Sequence, residues 1–267
     1  MLKDVALIGQ GTWMLERDPE PRAIEALQLG MDLGLTLIDT AEMYGSGRAE
    51  EVVGDAIRGR RDEVFVVSKV LPSNASYDGT RRACERSLQR LDIQCLDLYL
   101  LHWPGSYPIA ETMRALESLV RDGLTRSIGV SNFDVEDLEP ALAALRNEPM
   151  ACNQVLYHLG DRGIERRLIP FCRERGIAVM GYSPFGHSGF SAESKLVPLA
   201  ARLGRTPRQV ALNFLTRDGV HAIPKSGNPD HVRENAGALG WRLSDGDIAE
   251  IDRLFPAPDH DVPLGMI

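Results

Sequence analysis

Leu35-Thr36-Leu37-Ile38-Asp39-Thr40-Ala41-Glu42-Met43-Tyr44-Gly45 is an apolar, β-branched run that ends on a carboxylate and meets a tyrosine five positions later. Such runs read as short buried strands. The acid at the strand terminus has two readings. Asp39 can cap the next helix while Tyr44 serves as loop packing. Alternatively, both side chains converge on a pocket at the carboxyl end of a sheet, where parallel α/β folds bind their ligands. The choice depends on what stands at the other strand ends.

Outward from that stretch, strand-like runs recur at residues 5–8, 35–38, 64–67, 96–101, 127–130, 151–156, 177–180 and 221–223. Segments of helical period lie between them. Residues 78–91 align Ala83, Cys84, Ser87, Leu88 and Leu91 on one face, and residues 111–120 align Met113, Leu116, Leu119 and Val120. Alternating strand and helix implies βα units with parallel strands. Eight such units in 267 residues predict a closed (β/α)8 TIM barrel rather than an open sheet. Helix starts are signalled by Thr206-Pro207-Arg208-Gln209, by Asn228-Pro229 and by Ser244 with Asp247. Two helices, 194–203 and 206–216, are expected between the seventh and eighth strands. No Gly/Ser- or Pro-rich linker divides the chain, so one domain over 1–267 is expected, without a sequence repeat.

Composition narrows the function. With 43% hydrophobic and 25% charged residues, the chain has what a full core requires. A net charge of −8 argues against a general nucleic-acid or anionic-membrane surface, but not against a local basic pocket for a phosphorylated cofactor. Cys84, Cys95, Cys152 and Cys172 form no C-x-x-C pair, which favours reduced thiols in a cytoplasmic protein over a disulfide frame or a metal cluster. No apolar run approaches the roughly 18 residues of a membrane helix, and no signal peptide precedes the run at 5–8. A monomer is the default expectation.

The residues at or just past the apolar runs are Asp39, Lys69, His102, Ser131-Asn132, Gln154, Tyr182-Ser183 and Lys225-Ser226. In a parallel barrel these ends share one mouth. Lys69 and His102 follow uninterrupted apolar runs, so each needs a partner. Alone, Lys69 could snorkel out at the rim and His102 could be a core histidine. Packing does not explain four such groups at one mouth. A phenol titrates near ~10 and is a poor acid at neutral pH. A cation beside it favours phenolate and makes the hydroxyl a better proton donor, which is the part Lys69 is suited to. Asp39 would hold the ammonium, and His102 would orient a carbonyl oxygen towards Tyr44. This equipment protonates an alkoxide as it forms. No side chain delivers the electrons, so a hydride-carrying cofactor is implied.

The sequence resembles the aldo-keto reductase family in Gly11-Thr12-Trp13, Ile38-Asp39-Thr40-Ala41-Glu42-Met43-Tyr44-Gly45 and Val67-Ser68-Lys69. It continues through Leu98-Tyr99-Leu100-Leu101-His102-Trp103, Ile128-Gly129-Val130-Ser131-Asn132-Phe133 and Asn153-Gln154. Gly181-Tyr182-Ser183-Pro184 and Ile223-Pro224-Lys225-Ser226 complete the set, in family order and along nearly the whole chain. Ala41-Glu42-Met43-Tyr44, Tyr157-His158-Leu159 and Arg162-Gly163-Ile164-Glu165 are most similar to bacterial members that reduce methylglyoxal and other small aldehydes.

The resemblance implies an NADPH-dependent reductase, with NADH as a weaker alternative. Tyr44 would be the acid, tuned by Lys69 and Asp39, with His102 orienting the substrate. It further implies that Ser131, Asn132 and Gln154 hold the nicotinamide carboxamide, that Tyr182 stacks on the nicotinamide ring, and that Thr12 and Asp39 lie on the cofactor side. Ser183 and Phe185 fall on the pyrophosphate loop, Lys225 and Ser226 at the 2′-phosphate, and Glu234 and Asn235 at the adenine. Trp13, Met43, His102 and Trp103 would line the substrate side. The Asn228 cap independently puts a helix N-terminus beside Lys225, which suits a phosphate. The early Gly9-x-Gly11 lacks the third glycine of a dinucleotide fingerprint.

Departures from the family pattern carry their own expectations. His231 stands where many relatives carry a phosphate-gripping arginine, so preference for NADPH should be weaker and pH-sensitive. The N-terminal hairpin that commonly closes the barrel bottom is missing, so that end is expected to be less covered. The tail 256–267 and the loops 102–109 and 182–192 are short, which predicts an open mouth and small or flexible aldehydes rather than steroids. Arg162 and Glu165 read as a structural ion pair. Two competing functions stay open. One is a lyase forming a Schiff base on Lys69, against which the adjacent Asp39 counts. The other is a non-catalytic NADPH-binding regulator, against which the full set of four reactive side chains counts.

Overall fold

Eight parallel strands lie in sequence order in one sheet: β1 (Gln10–Gly11), β2 (Leu37–Asp39), β3 (Phe65–Val70), β4 (Leu98–Leu101), β5 (Ile128–Ser131), β6 (Met150–Leu156), β7 (Ala178–Tyr182) and β8 (His221–Ile223). The structure is a computed structural model, described for residues 2–187 and 189–267. The sheet closes on itself between its first and last members. Gly9 N–H donates to the Ala222 carbonyl at 2.8 Å, Gly11 N–H to Pro224 at 3.0 Å, and Ala222 N–H to Leu7 at 2.8 Å. Each strand is followed by at least one helix: α1 (Glu20–Asp32), α2 (Arg48–Ile57), α3 (Tyr77–Leu91), α4 (Ile109–Arg121), α5 (Val135–Ala144), α6 (Leu168–Glu174), α7 (Glu193–Leu203), α8 (Pro207–Leu215), α9 (Pro229–Ala236) and α10 (Asp245–Leu254). The (β/α)8 barrel read from the alternation is the observed fold. Among the described residues no helix is long and apolar enough to cross a membrane.

Strand side chains alternate between the two faces, and this alternation builds the site. Leu37, Val67, Leu98, Leu100, Cys152, Met180 and Ile223 pack together inside the barrel. Ile38, Val66, Tyr99, Val130, Val155 and Val179 point outward into the larger cluster shared with the helices. Two residues beyond the inner apolar layer, in phase with it, stand Asp39, Lys69, His102, Gln154, Tyr182 and Lys225. The polar layer at the mouth is thus the next storey of the same pattern.

Local signals agree with this frame. Thr206 and Gln209 cap each other reciprocally at the start of α8, and Ser244 and Asp247 do so at α10. The Asn228 side chain accepts from Asp230 N–H at α9. The expected face of α3 is buried, from Ala83 to Leu91. Asp39 caps no helix, since the turn that follows it is entered from Met43.

Three expectations need correction. The first strand is Gln10–Gly11, not 5–8; in that run Ile8 forms an isolated bridge to Ala222, while Val5 and Leu7 lie at bends. The backbone groups that close the barrel fall after the apolar run, not within it. Lys69 lies inside β3 rather than beyond its end, because the strand runs on to Val70, past the apolar stretch 64–67. The barrel bottom is covered: a 3-10 turn at Leu2–Asp4 inserts Leu2, 5% exposed, against the inner apolar layer.

Candidate active site

Lys69 is fully buried, and its ammonium donates three hydrogen bonds: to Asp39 Oδ2 at 2.8 Å, to the Thr40 carbonyl at 2.9 Å and to Tyr44 Oη at 3.1 Å. An ammonium has three protons to give, so none is idle. The other Asp39 oxygen accepts from Gln154 Nε2 at 2.7 Å, and the Asp39 carbonyl accepts from Thr12 Oγ1 at 2.9 Å. Both carboxylate oxygens are therefore occupied. Burial pushes the Lys69 ammonium towards neutrality, but the Asp39 carboxylate, with the hydrogen bonds to Asp39 and Tyr44, outweighs it and holds the group charged, above its ordinary value.

Tyr44 is aimed back at Lys69 by a turn in which Gly45, Ser46 and Gly47 all have left-handed backbone, with φ of 56°, 55° and 96°. Glycine at two of these positions makes that path affordable. Burial raises the Tyr44 phenol above its ordinary value; Lys69 pulls it down by a smaller amount, and Asp39 adds to the rise. The sequence reading expected the cation to dominate and lower it. The net direction is the opposite, because desolvation of phenolate is the larger effect. The consequence is a phenol that keeps its proton across the working pH range. Since Oη accepts from Lys69, its own O–H is free to donate elsewhere.

His102 packs edge-on to Tyr44, with ring centroids 5.8 Å apart, and tilts against Trp103. Burial, with Lys69 adding to it, pushes its pKa down to about 2, so the ring is neutral. Nδ1 is buried without a hydrogen-bond partner among the described residues. A buried polar atom left unpaired calls for an explanation, and a ligand is one.

Beside these groups, Asn132 adopts left-handed backbone at φ 60° and donates from Nδ2 to the His102 carbonyl at 3.0 Å and to Ser131 Oγ at 3.2 Å. Its Oδ1 accepts from Tyr182 Oη at 2.8 Å. Ser131 and Asn132 do not cap α5, which is capped by Asp134. Asp39, Tyr44, His102, Ser131, Asn132, Gln154 and Tyr182, with Thr12, Trp13, Met43, Trp103, Ser183 and Lys225, wall one cavity of about 380 Å³, and Lys69 lies behind that wall. Its lining suits a nicotinamide: a flat phenol face at Tyr182, a hydroxyl at Ser131, and the acceptor Oε1 of Gln154, whose nitrogen is committed to Asp39.

Residues 7–255 match the Aldo/keto reductase family. The chain belongs to the aldo/keto reductase family. It is 44% identical to methylglyoxal reductase YeaE of Escherichia coli K12 over 99% of this chain and 96% of that protein. Glyoxal reductase of Bacillus subtilis is 36% identical, over 94% and 92%. An aldo/keto reductase from Klebsiella pneumoniae, crystallised with NADP and acetate, superposes with a TM-score of 0.94 at 45% identity, over 98% of this chain and 96% of that one.

The remaining family-implied residues of this aldo/keto reductase lie outside the cavity lining. Ser226 Oγ exchanges hydrogen bonds with the Asn228 backbone, His231 is exposed, Asn235 is buried, and Glu234 sits 3.9 Å from Arg208. Phe185 packs edge-on to Phe190 and lies beneath the Arg208 guanidinium, 4.6 Å from its ring. Lys225 does reach the cavity, where its ammonium donates to Asp18 Oδ2 at 2.8 Å.

Sequence reasoning missed Asp18, and it missed Met266 and Ile267, which line the cavity. The mouth is therefore less open than the short tail implied. The tail is strapped down by Arg166, which donates to Asp261 Oδ1 at 2.5 Å and to the Asp259 carbonyl at 2.8 Å. The paired charges at Arg166-Arg167 and Asp259–Asp261 were the available signal. Arg162 and Glu165 do pair, at 2.6 Å, in a cluster that also takes in Asp252 and Arg217.

Proposed function

We propose that this protein reduces small aldehydes and 2-oxoaldehydes of the methylglyoxal kind to alcohols with NADPH, using Tyr44 as the general acid. One barrel domain carries the whole site, so a monomer suffices. The observation that carries the reading is the triple commitment of Lys69 to Asp39, Thr40 and Tyr44 in a buried setting. It supports a proton donor held at a fixed place beside a cavity, and the name of the methylglyoxal-reducing relative agrees with it.

Ser131, Asn132, Gln154 and Tyr182 would hold the nicotinamide end, and Lys225 the phosphate end. When bound, the reduced nicotinamide supplies the hydride that no side chain can provide. Everything else falls to the protein. Neutral His102 donates a hydrogen bond to the substrate carbonyl oxygen and turns it towards Tyr44. Tyr44 gives its proton to that oxygen as negative charge builds on it, and Lys69 stabilises the phenolate that results. Trp13, Met43, Trp103, Met266 and Ile267 exclude water from the substrate side. Lys225 is the one cation in the lining among the described residues, and it would serve the phosphate, so uncharged carbonyl compounds suit the pocket better than carboxylates.

The Schiff-base reading is disfavoured, since Lys69 is held charged and has no free lone pair. The direct test is loss of 340 nm absorbance of NADPH (the chromophore's own band) with purified protein and a panel of methylglyoxal, neutral aldehydes and aldehyde acids. The expected result is turnover, with the neutral 2-oxoaldehydes ahead of the acids. NADPH binding without consumption across the panel would contradict it and favour the regulator.

A further inference from the structure

Behind the barrel wall, a second charge cluster, centred on a buried carboxylate, touches the segments that carry the site without entering it. Glu50, on α2, is fully buried. Its carboxylate accepts from Ser68 Oγ at 2.6 Å and from Arg90, on α3, at 2.6 Å through Nε. Ser68 is also fully buried, and it is the residue before Lys69 on β3; the strand alternation sends it out towards the helices where Lys69 goes in. Arg90 also lies beneath Gly47, so closely that a Cβ there would meet its Cδ and Nε at 2.5 Å. Gly47 closes the left-handed turn that begins at Tyr44.

One ion pair therefore contacts both segments that carry the hydroxyl and the ammonium. On the strand side it grips the residue adjacent to Lys69. On the turn side it supports the glycine that fixes the path of Tyr44. Burying the Glu50 charge beside an Arg90 side chain that is 20% exposed is expensive, and an apolar pair of similar volume would often stabilise a fold at least as well. What a hydrogen-bonded ion pair adds is direction, since both partners are held to defined angles. The Tyr44 Oη to Lys69 Nζ separation is 3.1 Å, and displacements of this kind by about an ångström can cost about a hundredfold in rate.

We propose that Glu50 and Arg90 are positioning residues that set the approach of Tyr44 to Lys69 from outside the barrel. The proposal rests on the reading of Tyr44 and Lys69 given above. It is tested with Glu50→Gln, Ser68→Ala, Arg90→Lys and Arg90→Met in the full chain. Readouts are kcat and KM for methylglyoxal, NADPH affinity by quenching of tryptophan fluorescence, and thermal midpoint. Glu50→Gln is expected to lower kcat about tenfold while KM and NADPH affinity stay within about twofold. Arg90→Lys should keep more of kcat than Arg90→Met.

Full kcat in Glu50→Gln with a lowered thermal midpoint would overturn the proposal, leaving a structural pair only. So would losses in kcat, KM and NADPH affinity that all follow the folded fraction. If Glu50→Gln does not fold, Ser68→Ala decides: about a threefold fall in kcat supports the proposal and an unchanged kcat overturns it. Wild-type turnover, measured alongside, separates the failures. An inactive wild type removes the reductase reading itself, whereas an active wild type with fully active variants removes only the role of this pair.

Discussion

Two lysines of the same mouth are held in opposite ways. Lys69 is fully buried on a strand and spends all three protons on Asp39, Thr40 and Tyr44. Lys225 sits in the loop after β8, its side chain 34% exposed, and among the described residues its ammonium donates to Asp18 alone. The floor of the mouth is assembled in advance, and its groups need no rearrangement at the moment of reaction. At the rim the Asp18 carboxylate holds Lys225, and on the proposed reading it stands in for an anionic ligand group. Permanent pairing suits a group that must keep its geometry through every turnover. Exchangeable pairing suits one that must capture and release.

Variants can break or sharpen this contrast. Tyr44 apart, the largest effect is expected at Lys69. Lys69→Met should lower kcat about 1000-fold with NADPH affinity nearly unchanged, and should lower the thermal midpoint because Asp39 is left buried without its charge partner. Steady-state kinetics and fluorescence titration check both halves. A large loss of NADPH affinity in this variant would erase the distinction between floor and rim.

At the rim the order reverses. Lys225→Ala should weaken NADPH about 30-fold, leave NADH within about twofold, and change kcat little. Equal weakening of both cofactors would mean that Lys225 does not read the extra phosphate. A smaller effect of opposite sign is expected from Asp18→Asn. With no carboxylate competing for Lys225, NADPH should bind about threefold more tightly, a modest figure because the pair is partly solvated. Weaker binding would show that Asp18 helps to hold the ligand rather than standing in for it.

The smallest effect on rate is expected from pH. His102 is neutral down to about 2, against an ordinary value of 6.5, so its titration should put no acidic limb on kcat between pH 5 and 8. Its contribution to stability has a definite sign. Between about 2 and 6.5 the unfolded chain binds the proton that the folded chain refuses. Stability from this group is thus complete above 6.5 and is lost as pH falls below it. Thermal unfolding of wild type and His102→Gln across that range reads the difference.

The barrel and its floor were legible because one local rule governs both. Period-two alternation puts Asp39 in phase with Leu37, Lys69 with Val67 and His102 with Leu100, so apolar runs announced the storey above them. The first strand misled for a related reason: residues 5–8 have the composition of a strand, but the hydrogen bonds that close the barrel come later. The rim was much less legible. Asp18 meets Lys225 across 207 residues, and Arg166 meets Asp261 across 95, and no local pattern encodes either pair. Met266 and Ile267 reach the cavity on the same tail that the second of these pairs contacts, and without that signal a short tail read as an open mouth. The charge on Lys69 was inferred correctly from Asp39, but the balance at Tyr44 depended on how dry the site is, and sequence does not measure that.

The account turns on Tyr44 giving up the proton while the hydride comes from elsewhere. Single-turnover mixing of NADPH-loaded Tyr44→Phe with methylglyoxal tests this directly, because fluorescence reports the binding of NADPH and absorbance its oxidation. The account predicts binding within about twofold of wild type and oxidation slowed at least about 1000-fold. Oxidation at the wild-type rate, with binding intact, would contradict it and move the acid to another group.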